Sequence, residues 1–376
     1  MRVLFSSSPG VGHFLPLVQL AWAFRADGHD VLVTIAEHAD KAAAAGLEVV
    51  DVAPDYSAVA VFERVAREHP DFAARMAERA EAPIEDWAIQ VAAVNRPMVE
   101  RTMDVADQWR PDLVVYDQGA TVGLLAAARR GVPSVQRNQS AWRTGALHEN
   151  VARELADLCE RYDLTVPEPD VTVESFPPSM LSGTPEEGWF MRWVPYGGGH
   201  VVGDRLPRPG SRPRVAITMG TIELQTFGLD MLDPLLAAAA DTPADFVLAL
   251  GDIDVSGLVV PSNVTSVGWT PLHTLLRDCA AVLHHGGGGT TLTAVDAGIP
   301  QMLTPDPRDR LQYTACAAVR DRGIGLTGAP KDVDSALITR LLEDETMRRA
   351  AEEVRDEVWA LPTPVETERR ILDQLF

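Results

Sequence analysis

Residues 281–291 read Ala281-Val282-Leu283-His284-His285-Gly286-Gly287-Gly288-Gly289-Thr290-Thr291. A short apolar run of strand character enters four consecutive glycines and leaves into a segment of helical rhythm. Glycine has no Cβ, so its backbone can approach an anion closely, and the N–H groups and positive dipole end at a helix start favour negative charge. The stretch therefore reads as a pyrophosphate seat at the carboxyl end of a buried strand, where open α/β sheets hold their ligands. No Lys follows the glycines, which separates it from a Walker A loop. The adjacent histidines do not make a zinc site, because no third His, Cys or carboxylate stands at ligand spacing. In a strand they point to opposite faces, and His285, next to the glycines, is the one expected to reach the ligand.

The same βα rhythm extends on both sides. Strand-like runs at Val215–Thr218, Phe246–Leu250, Val264–Val267, Ala281–Leu283 and Gln301–Leu303 alternate with helical stretches over about 229–240, from Pro271 and from about Thr290. Upstream, Val3–Phe5, Val31–Ile35, Val49–Val52, Leu113–Tyr116 and Ser134–Val135 form an earlier series, with helices at Leu15–Ala26, Glu37–Ala45 and Thr121–Arg130. Near-continuous apolar runs such as Leu113–Tyr116 suit strands covered on both faces of a parallel sheet. Between Asp163 and Arg214 the helical rhythm fails while proline and glycine accumulate. The expected organisation is an acceptor-side Rossmann-like domain over 1–205, a linker at 206–213 and a second Rossmann-like domain over 214–360. A C-terminal helix at 361–376 is expected to cross back to the first domain.

Composition bounds the function. The chain has 376 residues, enough for two α/β domains, with 46% hydrophobic and 23% charged residues. Lys and Arg number 33 against 54 Asp and Glu, and the resulting charge of −21 argues against nucleic acid and anionic membranes as partners. Neither a cleavable leader nor an apolar run of the ~18 residues of a transmembrane helix is evident. Cys159, Cys279 and Cys316 are odd in number and widely spaced, which fits a reducing, cytoplasmic setting. A homodimer is compatible with these features.

The first strand ends in Ser6-Ser7-Ser8-Pro9-Gly10-Val11-Gly12-His13-Phe14-Leu15-Pro16, a glycine turn that places a histidine where a helix begins. The helix dipole there disfavours imidazolium, so a neutral His13 is expected to accept a proton as a general base. Such a base gains from a carboxylate that fixes its tautomer, and Asp117, at the end of the strand Leu113–Tyr116, is the candidate. The alternatives are a turn histidine satisfied by backbone and an Asp that caps the helix near Thr121. Gly12, Asn138, Trp142 and Arg143 are candidates to line the acceptor side, Trp142 as an aromatic wall, with core packing as the alternative.

Four ordered blocks carry a family resemblance: Val267-Gly268-Trp269-Thr270-Pro271, His285-Gly286-Gly287-Gly288-Gly289-Thr290, Asp296-Ala297-Gly298-Ile299-Pro300 and Pro305-Asp306-Pro307-Arg308-Asp309. Together they resemble the donor signature of GT-B inverting glycosyltransferases of the bacterial natural-product tailoring branch, most of all the calicheamicin (enediyne) glycosyltransferases. The likeness runs from Met1 to the tail and includes Pro111–Tyr116 and Arg137–Arg143. It implies two Rossmann-like domains facing across a cleft, and a deoxyhexose moved from a dTDP- or UDP-sugar to a hydroxyl of an enediyne or polyketide aglycone, with inversion and without a metal or other cofactor. By the same resemblance, His285, Gly287, Gly288, Gly289 and Thr290 hold the diphosphate, with Gly220 and Thr221 opposite. Trp269 and Thr270 contact the base, and Asp309 binds sugar hydroxyls. The family often has Gln after that acid; here Arg310 follows, and Gln312 is the nearest substitute.

Rival readings are a dinucleotide oxidoreductase using Gly10-Val11-Gly12 and Glu37, and a catalytically incompetent relative that activates a partner enzyme. Leu15 replaces the third fingerprint glycine of the former. The latter is expected to lack the base or the phosphate seat. Asp252-Ile253-Asp254 has the form of a DxD metal motif but is read as a turn beside Gly251.

Overall fold

In the computed structural model, residues 1–72, 75, 84–199, 210–220, 224, 228–251, 253–306 and 309–376 are described. They form two all-parallel sheets with helices on both faces. The first has seven strands in the order β3-β2-β1-β4-β5-β6-β7, with β1 Arg2–Ser6, β2 Asp30–Ile35, β3 Glu48–Asp51, β4 Leu113–Asp117, β5 Ser134–Asn138, β6 Val171–Glu174 and β7 Trp189–Phe190. The second has six in the order β10-β9-β8-β11-β12-β13, with β8 Arg214–Thr218, β9 Asp245–Ala249, β10 Val264–Val267, β11 Ala281–His284, β12 Gln301–Leu303 and β13 Gly325–Thr327. The chain is thus an α/β protein of two Rossmann-like domains.

Every residue of β4, β5, β8 and β11 is buried, as the apolar character of β4 and β11 required, and β5 buries its polar Gln136, Arg137 and Asn138 as well. Register puts equivalent strand ends side by side: Ser6 of β1 pairs with Tyr116 of β4, and His284 of β11 with Thr218 of β8. The loops that leave these strands therefore emerge together, one set per domain.

Some differences from the sequence reading have simple causes. The proline-rich segment after Asp163 contains β6 and β7, short strands that extend the first sheet without the periodicity that marks longer ones. The stretch 229–240 begins as a 3-10 turn, Leu229–Leu232, and becomes α-helical only at Asp233–Ala240, with Pro234 in its first turn. The helix expected from about Thr290 starts two residues earlier, at Gly288. Half of the expected linker, residues 206–209, lies outside the described residues, as do Thr221 and Asp252.

The last helix, Pro364–Leu375, opens with a capping box in which Thr363 and Glu366 serve each other's backbone N–H groups. Its Ile371, Leu372 and Leu375 join the apolar cluster of the first domain with Phe5, Leu17, Leu20 and Phe24. By contrast, the preceding helix Glu345–Ala360 packs Val354 and Val358 against Leu292 and Val295 of the glycine-loop helix.

Candidate active site

Two strand-to-helix turns face each other across the interdomain cavity, and each is opened by a glycine at φ +98°: Gly10 after β1 and Gly286 after β11. Side chains rarely adopt that angle. The first turn delivers His13 on the short helix Val11–Phe14, and the second delivers the start of the helix Gly288–Ala297. Residues of both turns line one cavity, including Gly12 and His13 on one side and His285, Gly287, Gly288, Gly289 and Thr290 on the other.

His13 Nδ1 lies 3.2 Å from Asp117 Oδ1, with the His side chain 30% exposed and the Asp side chain 0%. Asp117 also accepts from the Ser8 N–H and hydroxyl and from the Gly119 N–H at 2.9 Å. It does not cap the helix Thr121–Arg130, whose N-cap is Ala120. A carboxylate can only accept, so Nδ1 carries the proton and Nε2 keeps its lone pair. The Gln139 carboxamide nitrogen lies 2.9 Å from the same Nδ1, to which it cannot donate while that proton is committed to Asp117.

The helix dipole expected to act on His13 is outweighed by Asp117. Burial does lower its pKa, but the charge and hydrogen bond of Asp117, with Asp309 adding to them, raise it above the ordinary value of 6.5. The host helix has only four residues, so its dipole is small beside a carboxylate in contact. Asp309 of the second domain and His13 of the first line one cavity.

On the other side, the helix begins at Gly288, so the N–H groups of its first turn have no helical carbonyl to serve them. A Cβ on Gly287 would stand 2.4 Å from His285 Nε2, and one on Gly288 would stand 2.3 Å from the Gln139 carbonyl oxygen. The glycines are thus demanded by a packed ring and by the facing domain. His285 is buried and its pKa falls to about 4, which makes it a neutral hydrogen-bonding group rather than a counter-charge. His284 is turned away: its Nε2 meets Gln301 Oε1 at 3.0 Å and its Nδ1 accepts the Gly286 N–H at 3.1 Å, tying down the turn.

Trp269 and Thr270 line the same cavity, as does Gly220 at φ +70°. The indole N–H of Trp269 donates to the Gly197 carbonyl at 3.1 Å, and Lys41 of the first domain stands 5.1 Å from its ring centre. Asp309 caps the helix Arg310–Arg322 by accepting from Leu311 and Gln312 N–H groups. Gln312 donates to Asp309 Oδ2 at 3.1 Å, so the acid and the amide form one unit on the cavity wall.

Three expected acceptor residues are displaced. Asn138 does not reach the cavity: it is fully buried and donates to Glu174 and Glu187 at 3.1 and 2.9 Å. Trp142 packs in the core with its ring 6.1 Å from that of Trp87, and Arg143 pairs with Glu174. The chain turns after Asn138, so Gln139 and Ser140 face the cavity while the residues beyond them turn inward. The aromatic wall comes instead from Trp193 and Tyr196, in the proline- and glycine-rich stretch that carried no periodic signal. In the DxD-like segment, Asp254 accepts the Ser256 N–H at 2.9 Å, as a turn residue does.

Models of the erythromycin biosynthesis protein CIII-like N-terminal and C-terminal domains match residues 22–220 and 233–374. The chain belongs to the erythromycin biosynthesis protein CIII-like family. It is 37% identical to the elloramycin glycosyltransferase ElmGT of Streptomyces olivaceus, over 99% of this chain and 97% of that one. Among solved structures of such enzymes, the glycosyltransferase SnogD from Streptomyces nogalater superposes with a TM-score of 0.84 at 35% identity, covering 100% and 99% of the two chains. The spinosyn rhamnosyltransferase SpnG complexed with thymidine diphosphate gives 0.82 at 26%, covering 99% and 100%. As a member of this family the chain is a glycosyltransferase of antibiotic tailoring with the GT-B fold. Among the described residues no helix is long and apolar enough to cross a membrane.

Proposed function

We propose that this glycosyltransferase moves a deoxyhexose from a dTDP-sugar, with a UDP-sugar as the second choice of donor, to a hydroxyl of a small apolar aglycone of the polyketide or enediyne type. The observation that carries the reading is the apposition of His13, held by Asp117, to a glycine-rich helix start across one cavity. Relatives named for TDP-daunosamine transfer and for desosaminyl transfer to 10-deoxymethynolide support the donor class. A relative solved with the spinosyn aglycone supports a polyketide-like acceptor.

In this reaction the acceptor O–H gives its proton to His13 Nε2 as its oxygen bonds to the anomeric carbon. The bond from that carbon to the diphosphate oxygen breaks on the opposite side, and the product is inverted. Asp117 stabilises the imidazolium as it forms. The leaving charge is taken by the first-turn N–H groups of the helix Gly288–Ala297 with His285 as a neutral donor. The first-domain turn with Gly12, walled by Trp193 and Tyr196, receives the aglycone. Trp269 and Thr270 hold the base, Gly220 the diphosphate, and Asp309 with Gln312 the sugar hydroxyls. No step requires a metal.

The test incubates the isolated protein with dTDP-deoxysugars, UDP-glucose and an aglycone panel, reading transfer by mass spectrometry and anomeric configuration by NMR. Expected is a product of inverted configuration with the dTDP donors. Retention of configuration would refute the displacement. Transfer that appears only when a second protein is added would favour the activator reading.

A further inference from the structure

At the amino-terminal ends of the first sheet's strands, opposite the cavity, the last helix brings Glu368 against Asp27 and His29. Glu368 is fully buried, and neither of its carboxylate oxygens has a hydrogen-bond donor. His29 Nε2 is likewise buried without a hydrogen-bond partner. It lies 3.5 Å from Glu368 Oε1 and 3.7 Å from Asp27 Oδ2, too far for hydrogen bonds of ordinary length. The other ring nitrogen, Nδ1, accepts from the terminal ammonium of Met1 at 3.2 Å, so Nε2, directed at the carboxylates, carries the ring proton, and a metal bound there shifts that proton to Nδ1 with the terminal amine turning neutral.

A buried carboxylate with no donor is costly, and proteins tolerate it when a cation takes the donor's place. The spacing states which cation. Ligand bonds of about 2.0–2.2 Å in a tetrahedral zinc site put neighbouring ligand atoms roughly 3.3–3.6 Å apart, close to the two separations from His29, and the two carboxylates lie within 4.8 Å of each other. One imidazole nitrogen and two carboxylates suit zinc better than the all-oxygen sets of magnesium or calcium. Asp27 is half exposed, with 53% of its side chain open to solvent, leaving a side from which a water could complete four ligands.

We propose that Asp27, His29 and Glu368 form a zinc-class cation site that staples the C-terminal helix to the first domain. It is a structural site, on the face of the sheet away from the proposed chemistry, and it is independent of the sugar-transfer reading.

The experiment uses the full, untagged chain, stripped with chelator and titrated with zinc chloride alone by calorimetry, with thermal melting alongside. Expected are one zinc per chain, a rise in Tm on addition, and at least a tenfold loss of affinity in His29→Ala and in Glu368→Gln. Glu368→Gln keeps the side chain's shape and removes its buried charge, so it preserves the fold. Absence of saturable zinc binding, or binding that both variants leave unchanged, would overturn the proposal.

Discussion

At the scale of single residues, the character of His13 is set by what touches the nitrogen it does not use. Nδ1 is committed to Asp117, and the carboxylate raises the pKa of a ring that burial alone would depress. Only the neutral ring accepts the acceptor's proton, so kcat/KM is expected to rise with pH through an inflection above 6.5 and then level. In Asp117→Asn the raising charge is gone while burial persists. The inflection should move to lower pH, and kcat should fall by about 100- to 10,000-fold, as for loss of general acid–base function. A pH–rate profile of both proteins checks this, and an unmoved inflection in the variant would remove His13 from the base's role. His13→Ala is expected to abolish transfer while titration calorimetry still detects dTDP binding. Both residues were legible because each ends or follows a strand in a parallel sheet, where loops converge. Asn138 and Trp142 were not, because the facing of side chains beyond a strand end depends on how the chain turns.

At the scale of elements, the glycine loop serves two masters, the diphosphate proposed for it and the opposing domain. Gly289 has open space where a Cβ would be, whereas at Gly288 the Gln139 carbonyl occupies it. Gly288→Ala must therefore push the domains apart locally, and a cost of about 1–3 kcal/mol is typical of such overpacking. Because Gln139 also contacts His13, the expected outcome is a drop in kcat larger than the loss of dTDP affinity, measured by steady-state kinetics and calorimetry; equal losses would place the damage in the phosphate seat alone. Trp269 poses the separate question of the base. If a thymine ring stacks on it, Trp269→Ala weakens dTDP binding by about 1–3 kcal/mol, and unchanged affinity by calorimetry refutes the stacking. The strand–glycine–helix pattern was readable because period, breaker and helix start coincide in consecutive residues. Trp193 and Tyr196 were not, since their stretch is positioned by tertiary contacts and has no period of its own.

At the scale of the molecule, chain order and energetic membership part company. The helix Pro364–Leu375 follows the second domain in sequence, yet its fully buried Ile371 belongs to the apolar cluster built on β1, β2 and the helix Val18–Ala26. Its amphipathic pattern announced a packed helix, and the absence of further strands after Leu326 pointed it back to the first domain, but which residues some 350 positions upstream receive it depends on the apolar face that domain leaves uncovered. Ile371→Ala removes buried methyl and methylene groups from that cluster and should cost about 2–5 kcal/mol. The glycine loop and Trp269 follow strands of the other sheet. Calorimetric melting with and without dTDP separates the two: the transition assigned to the first domain should fall in the variant, while dTDP affinity and the ligand-shifted transition of the second domain hold. A variant that melts as the parent does, or one whose dTDP-shifted transition falls equally, would mean that the two domains unfold as one unit or that the last helix is not part of the first domain's core.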